Sequence, residues 1–133
     1  MDSADLTAMP RLRVTPVEGR RSAVPEGHLS ARLMSHGSME VRWYGPNGHD
    51  PQTPHDRDEL YVVVAGTGMF IRAETREPFT DETALHLGGE ERITVEPGDA
   101  IFVPAGTHHH FEATSADFGC WMIFYGPEGG ERP

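Results

Sequence analysis

PHDRDELYVVVAG, from Pro54 to Gly66, and GDAIFVPAGTHHHF, from Gly98 to Phe111, decide how this chain of 133 residues folds. Each holds a short apolar run bounded by glycine, proline or aspartate, which is the signature of a strand between tight turns. In the first, His55 and Glu59 lead into the run Tyr61 to Val64, which ends at Gly66. In the second, Gly98-Asp99 opens Ala100 to Val103, and Pro104-Ala105-Gly106 turns the chain into His108-His109-His110. Histidine and carboxylate ligate borderline divalent metals, and two histidines with one carboxylate leave coordination positions free. The two stretches therefore read as a candidate metal site on a β scaffold.

Outward from them the chain is a series of short runs separated by Gly, Pro and Asp. Strands are expected at Leu29 to Met34, Met39 to Tyr44, Leu60 to Ala65, Gly68 to Ala73, Glu91 to Val95, Ala100 to Val103, His109 to Ala113 and Phe118 to Tyr125. No long stretch carries the helical period, so the expectation is one all-β domain with little helix, over residues 28–126. Residues 1–27 read as a loose N-terminal arm with one strand near Arg11 to Val14, and residues 127–133 as a flexible tail. The Gly66-Thr67-Gly68 turn is expected to close a tight hairpin, and the acidic stretch Glu74 to Gly89 to form a long exposed loop.

A chain of this length holds one domain with a proper core. The single Cys120, beside the apolar run Trp121 to Tyr125, reads as a buried thiol. The net charge of -10 argues against a nucleic-acid partner, and all eleven cationic side chains are arginines, which excludes lysine Schiff-base chemistry. Without an apolar span or a signal pattern, the expectation is a cytoplasmic protein that does not engage a membrane.

The two stretches resemble the paired motifs of the cupin superfamily, G-x5-H-x-H-x3,4-E-x6-G and G-x5-P-x-G-x2-H-x3-N. His55, Glu59 and Gly66 match the later part of the first, and Gly98, Pro104, Gly106 and His109 match the second. The chain departs from the pattern at Asn47, Thr53 and Ala113, which stand at the leading glycine, the first histidine and the final asparagine. The likeness runs from about Met39 to Tyr125, and the DPQTPH loop with the Phe124 to Gly130 tail is similar to small bacterial conserved-barrel cupins. It implies a jelly-roll β-barrel, one divalent ion (Fe, Zn, Mn or Ni) on His55, Glu59 and His109, and a homodimer. The fourth ligand position is open to His49, Gln52, or water or substrate.

Geometry adds constraints. On a straight strand His55 and Glu59 would stand roughly 13 Å apart, so the chain must bend at Asp56-Arg57-Asp58 for both to reach one ion. Strand alternation turns His108 and His110 outward if His109 points in, and places Tyr61 and Val63 on the same inner face as Glu59. Phe70 and Met122 are candidates for the pocket wall. Tyr61 is the pocket residue to test as a substrate contact, since its buried hydroxyl needs a partner. Burying Glu59 and two histidines without compensation costs several kcal/mol, which a divalent ion offsets.

The function expected is a metal-dependent enzyme acting on a small organic molecule, oxygenase-type with Fe or isomerase- or lyase-type with Zn, Mn or Ni. The alternative is a non-catalytic module that binds a small molecule or a metal. Arg42, Arg57 and Arg72 are candidate anchors for a ligand carboxylate, against the common alternative of solvated arginines.

Overall fold

A computed structural model of the chain describes residues 9–46, 48–74 and 89–133. Among the described residues eight strands follow one short helix: α1 (Pro16–Arg21), β1 (Ala31–His36), β2 (Met39–Tyr44), β3 (Asp58–Ala65), β4 (Gly68–Ala73), β5 (Glu90–Val95), β6 (Ala100–Val103), β7 (His109–Glu112) and β8 (Gly119–Tyr125). They form a five-stranded sheet of order β1-β2-β8-β3-β6 and a three-stranded sheet of order β5-β4-β7, with antiparallel pairing throughout. This is the all-β architecture expected from the short strands, in the two-sheet jelly roll that the cupin resemblance implies.

The register lines up rows of side chains across the larger sheet. Glu40, Phe124, Glu59 and Val103 make one row, and Arg42, Met122, Tyr61 and Ile101 the next. These rows face the interior, where Tyr61, Val63, Phe70, Val95, Phe111, Phe118, Cys120 and Met122 belong to one buried cluster. Each such side chain contributes about 1.5–3 kcal/mol by leaving water. Burial raises the Cys120 thiol well above its ordinary pKa, in keeping with a packing role.

Two turn expectations need correction. Gly66-Thr67-Gly68 does not close a hairpin: β3 and β4 belong to different sheets, and the turn carries the chain between them. Gly66 has φ 78°, and a Cβ there would stand 2.4 Å from Ser115 Oγ and 2.6 Å from Phe118 Cα, so only glycine fits the crossing. The strand expected near Arg11 to Val14 is also absent. A helix forms just beyond it because Thr15 and Glu18 make a reciprocal capping box and Pro16 takes the first turn. Its Gly19 lies against Trp43, where a Cβ would come within 2.6 Å of the indole, and Arg20 sits over the same ring at 5.2 Å. Helix α1 thus covers the outer face of β2. The loop expected over Glu74 to Gly89 falls mostly on residues outside the described ones; its flanks pair through Glu74 N–H to Gly89 O at 2.9 Å.

No helix among the described residues is long and apolar enough to cross a membrane.

Candidate metal centre

Glu59 and His109 come from opposite sheets, on β3 and β7, and both side chains are fully enclosed. His55 precedes β3 in a bend over Asp56 and Arg57, and its side chain keeps 27% exposure. The bend required by the spacing is therefore present. It brings His55 Nε2 to 3.6 Å from Glu59 Oε1, while His109 Nε2 lies 3.1 Å from the same oxygen.

Several hydrogen bonds hold the bend. Gly106 N–H donates to His55 O at 2.8 Å, and Gly129 N–H to Asp56 O at 2.6 Å. The buried Asp58 accepts from Ala105 N–H at 3.0 Å with one oxygen and from Glu131 N–H at 2.8 Å with the other. The segment that carries His55 is in this way fastened to the turn that leads to His109 and to residues 129–131, which read as a flexible tail in the sequence.

The protonation pattern follows from the partners. His109 Nδ1 lies 2.8 Å from Thr107 O, a group that can only accept, so Nδ1 carries the proton and Nε2 faces Glu59. Yet Nε2 and both Glu59 oxygens are buried with no hydrogen-bond partner among the described residues. Their approach is close without hydrogen-bond alignment, so the groups converge on a shared point. Donor separations of 3.1 and 3.6 Å suit ligand bonds of about 2.0–2.2 Å to one ion. At His55, burial lowers the pKa first, opposed by the Glu59 charge and aided by His109, which favours the neutral, ligating imidazole.

Of the two protein candidates for the fourth position, His49 is exposed and stands outside the cluster His55, Glu59, His109, whereas Gln52 reaches it. Gln52 Oε1 is 3.2 Å from His55 Nε2 and accepts the Tyr61 hydroxyl at 2.7 Å. The other end of the amide is fixed, because Nε2 donates to Asp50 Oδ2 at 2.8 Å. Asp50 in turn accepts from Phe111 N–H at 2.8 Å and from the Tyr44 hydroxyl. A carboxylate can only accept, so this network turns the Gln52 oxygen, rather than its nitrogen, toward the histidine.

Tyr61 is fully buried, and burial raises its hydroxyl pKa far above the ordinary value. Its hydroxyl reaches the site through Gln52, and its ring lies 6.0 Å from that of His109. His108 and His110 are only partly buried, and His110 Nε2 pairs with Glu112 Oε2 at 2.8 Å.

Asp50, Tyr44 and Asp58 were not singled out by the sequence. No periodicity marks a loop aspartate as a bonding hub. Tyr44 could have been found, since alternation along β2 puts it on one face with Arg42, which the sequence did mark as a candidate anchor.

Residues 42–125 match the family model described as a Cupin domain. The chain belongs to the cupin family. It is 29% identical to the uncharacterized protein SCO3923 of Streptomyces coelicolor, over 90% of this chain and 99% of that one. It is also 35% identical over 77 residues to the acireductone dioxygenase of Prochlorococcus marinus strain MIT 9303, covering 56% of this chain and 35% of that enzyme. This cupin thus spans about a third of the dioxygenase's length. The solved structure of BH2720 from Bacillus halodurans overlays with a TM-score of 0.63 at 21% identity, over 93% of this chain and 86% of that one, a likeness of fold.

Proposed function

We propose that this cupin is a metal-dependent enzyme acting on a small organic molecule, with one divalent ion on His55, Glu59 and His109 and the Gln52 oxygen as a neutral fourth donor. The observation that carries the reading is the set of orphaned buried atoms. Glu59 Oε1 and Oε2 and His109 Nε2 have no hydrogen-bond partner, a condition that costs about 1–3 kcal/mol per group unless a cation completes it. A bound iron would supply oxygen chemistry and a bound zinc, manganese or nickel Lewis-acid chemistry. The stretch shared with the acireductone dioxygenase supports the oxygenase-type reading of the two.

The chain's own side chains bind and orient. Thr107 O holds the His109 tautomer, Asp50 aims Gln52, and Tyr61 keeps its proton as a donor to Gln52. Tyr61 and Phe70 pack against His109 with ring centroids 6.0 and 6.1 Å away, and Phe111 packs against both at 5.0 Å, which excludes water from that side.

The test is elemental mass spectrometry on untagged protein purified without chelator, beside a His55→Ala/His109→Ala control. Near-stoichiometric metal that the control lacks is the expected result, followed by oxygen uptake on iron reconstitution. Protein that takes up no metal even on reconstitution refutes the centre and leaves a metal-free binding barrel.

A further inference from the structure

The larger sheet turns charges inward that the triad does not use. Glu40 and Arg42 on β2 stand opposite Phe124 and Met122 in the register, and so share the inner face with Glu59 and Tyr61. With Arg57 from the bend they form a continuous Arg–Glu–Arg chain: Arg42 Nη1 lies 2.8 Å from Glu40 Oε1, and Arg57 Nη2 lies 2.7 Å from Glu40 Oε2. These residues wall a cavity of about 380 Å³ that His55 and Gln52 also line, with Met122 and Phe124 at its apolar side. Glu59 and His109 are completely enclosed, so a molecule that approaches the triad from this cavity meets His55 and Gln52 first.

The charge inventory of that wall is unusual for this chain. Two guanidinium groups face one buried-side carboxylate, while Asp56, also on the rim, is exposed. The cavity lining is thus formally balanced, Arg42 and Arg57 against Glu40 and Asp56, but Asp56 stands in solvent, where screening weakens it, and the two guanidinium groups share Glu40 alone on the inner wall. Two guanidinium groups on one inner carboxylate leave cationic donors that an anionic ligand could take up.

The hydrogen bonds show which donors are spent. Arg42 uses Nε on Ser30 Oγ at 2.6 Å, Nη1 on Glu40, and Nη2 on Ser30 O at 3.1 Å and His28 Nδ1 at 3.5 Å. Arg57 uses Nη1 on Ser38 O at 2.9 Å and Nη2 on Glu40, and its Nε–H has no acceptor among the described residues. The Arg57 guanidinium lies over the Phe124 ring at 5.2 Å, and that ring lies 4.9 Å from the His55 ring. Arg57 is thus a cation with donors to spare, held one aromatic ring away from the first ligand. Arg72, by contrast, is committed elsewhere, to Glu91 Oε1 at 2.6 Å and Phe102 O at 2.7 Å.

We propose that the cavity binds a small organic carboxylate, its carboxylate group on Arg57 beside Arg42 and its far end against His55 and Gln52. Only the role of the far end rests on the metal-centre reading. A planar two-oxygen group suits the free edge of one guanidinium, whereas a phosphate calls for more donors than this wall has left. The volume lies at the small end of ligand sites and fits a diacid of about four to six carbons.

Calorimetric titration of zinc-loaded and metal-free protein with succinate, glutarate and the matching diamides tests this, in wild type, Arg57→Gln and Arg57→Lys. Diacids are expected to bind at least tenfold more tightly than their diamides. Arg57→Gln should weaken the diacid at least tenfold with zinc affinity held within threefold, and Arg57→Lys should recover part of the loss. Three results overturn the proposal: no diacid binding to zinc-loaded wild type, diamides or inorganic phosphate binding as well as diacids, or zinc and diacid lost together in Arg57→Gln. If the protein takes no zinc but binds diacids through Arg57, the carboxylate site stands and the metal centre falls.

Discussion

Two polar regions lie side by side inside this barrel, and they are built on opposite rules. In the Glu40–Arg42–Arg57–Ser30 region both Glu40 oxygens are paired and each guanidinium has at least two partners. In the Glu59–His109 region, deeper and drier, three polar atoms have none. Buried polar groups that serve structure alone are normally satisfied, so partners withheld at full burial mark a place reserved for something else. The first region has the character of a wall and the second that of a receptacle.

The sharpest way to break this contrast is to remove the receptacle's donors. His109→Ala or Glu59→Gln should reduce zinc affinity at least a thousandfold in competition with a chromogenic chelator; affinity within tenfold of wild type would show that the orphaned atoms are not ligands.

The next effect concerns the metal-free protein. Replacing Glu59 by leucine deletes an unsatisfied buried carboxylate, so the metal-free variant should gain about 1–3 kcal/mol in urea unfolding while losing the metal. A destabilised variant would mean that Glu59 has a partner after all.

Asp58 belongs with the wall in kind, since both its oxygens accept backbone N–H groups. Asp58→Asn should weaken zinc binding about tenfold, the scale of supporting residues around a metal, by loosening the bend at His55. Unchanged zinc affinity with lowered stability would restrict Asp58 to the fold.

The smallest expected effect is the pH dependence of Glu40. Burial pushes its pKa up, but the hydrogen bonds and charges of Arg57 and Arg42 outweigh it, and the net shift is downward from 4.5. With the folded-state pKa below the unfolded one, the stabilisation is complete above about pH 4.5 and is lost as pH falls through the folded value. Glu40→Gln should cost about 1 kcal/mol at pH 7, a figure kept low by solvent screening, and flatten the acid limb of the stability profile. An identical acid limb in the variant would assign that limb to other carboxylates.

Much of this was legible in the sequence. The strands from Met39 to Tyr125 were marked by apolar runs between Gly and Pro, and the bend at Asp56-Arg57-Asp58 followed from strand rise and turn-prone residues once the cupin resemblance put His55 and Glu59 on one ion. The inward faces of Glu59, Tyr61 and Val63 followed from alternation. Strand β2 was opaque for a physical reason: its apolar residues Val41 and Trp43 look like a core face, yet Trp43 lies outward under α1 and against Trp121 at 5.0 Å. The charged Glu40 and Arg42 look inward instead. A six-residue helix fixed by a capping box reversed which face of the strand needed cover, and periodicity along one strand contains no trace of that. Asp50 and Asp58 stayed hidden because their partners are backbone groups far along the chain.

The sheet order has a kinetic corollary. Strand β3, which carries Glu59, pairs with no sequence neighbour: Tyr61 sits opposite Ile101 and Met122, 40 and 61 positions later. Loop closure of that span must precede any reward from pairing, which places such topologies among the slow folders, on the millisecond-to-second scale. During refolding His55 and Glu59 have to wait for strands from the second half of the chain, so a divalent ion added at the start should speed assembly little and act mainly by slowing unfolding afterwards.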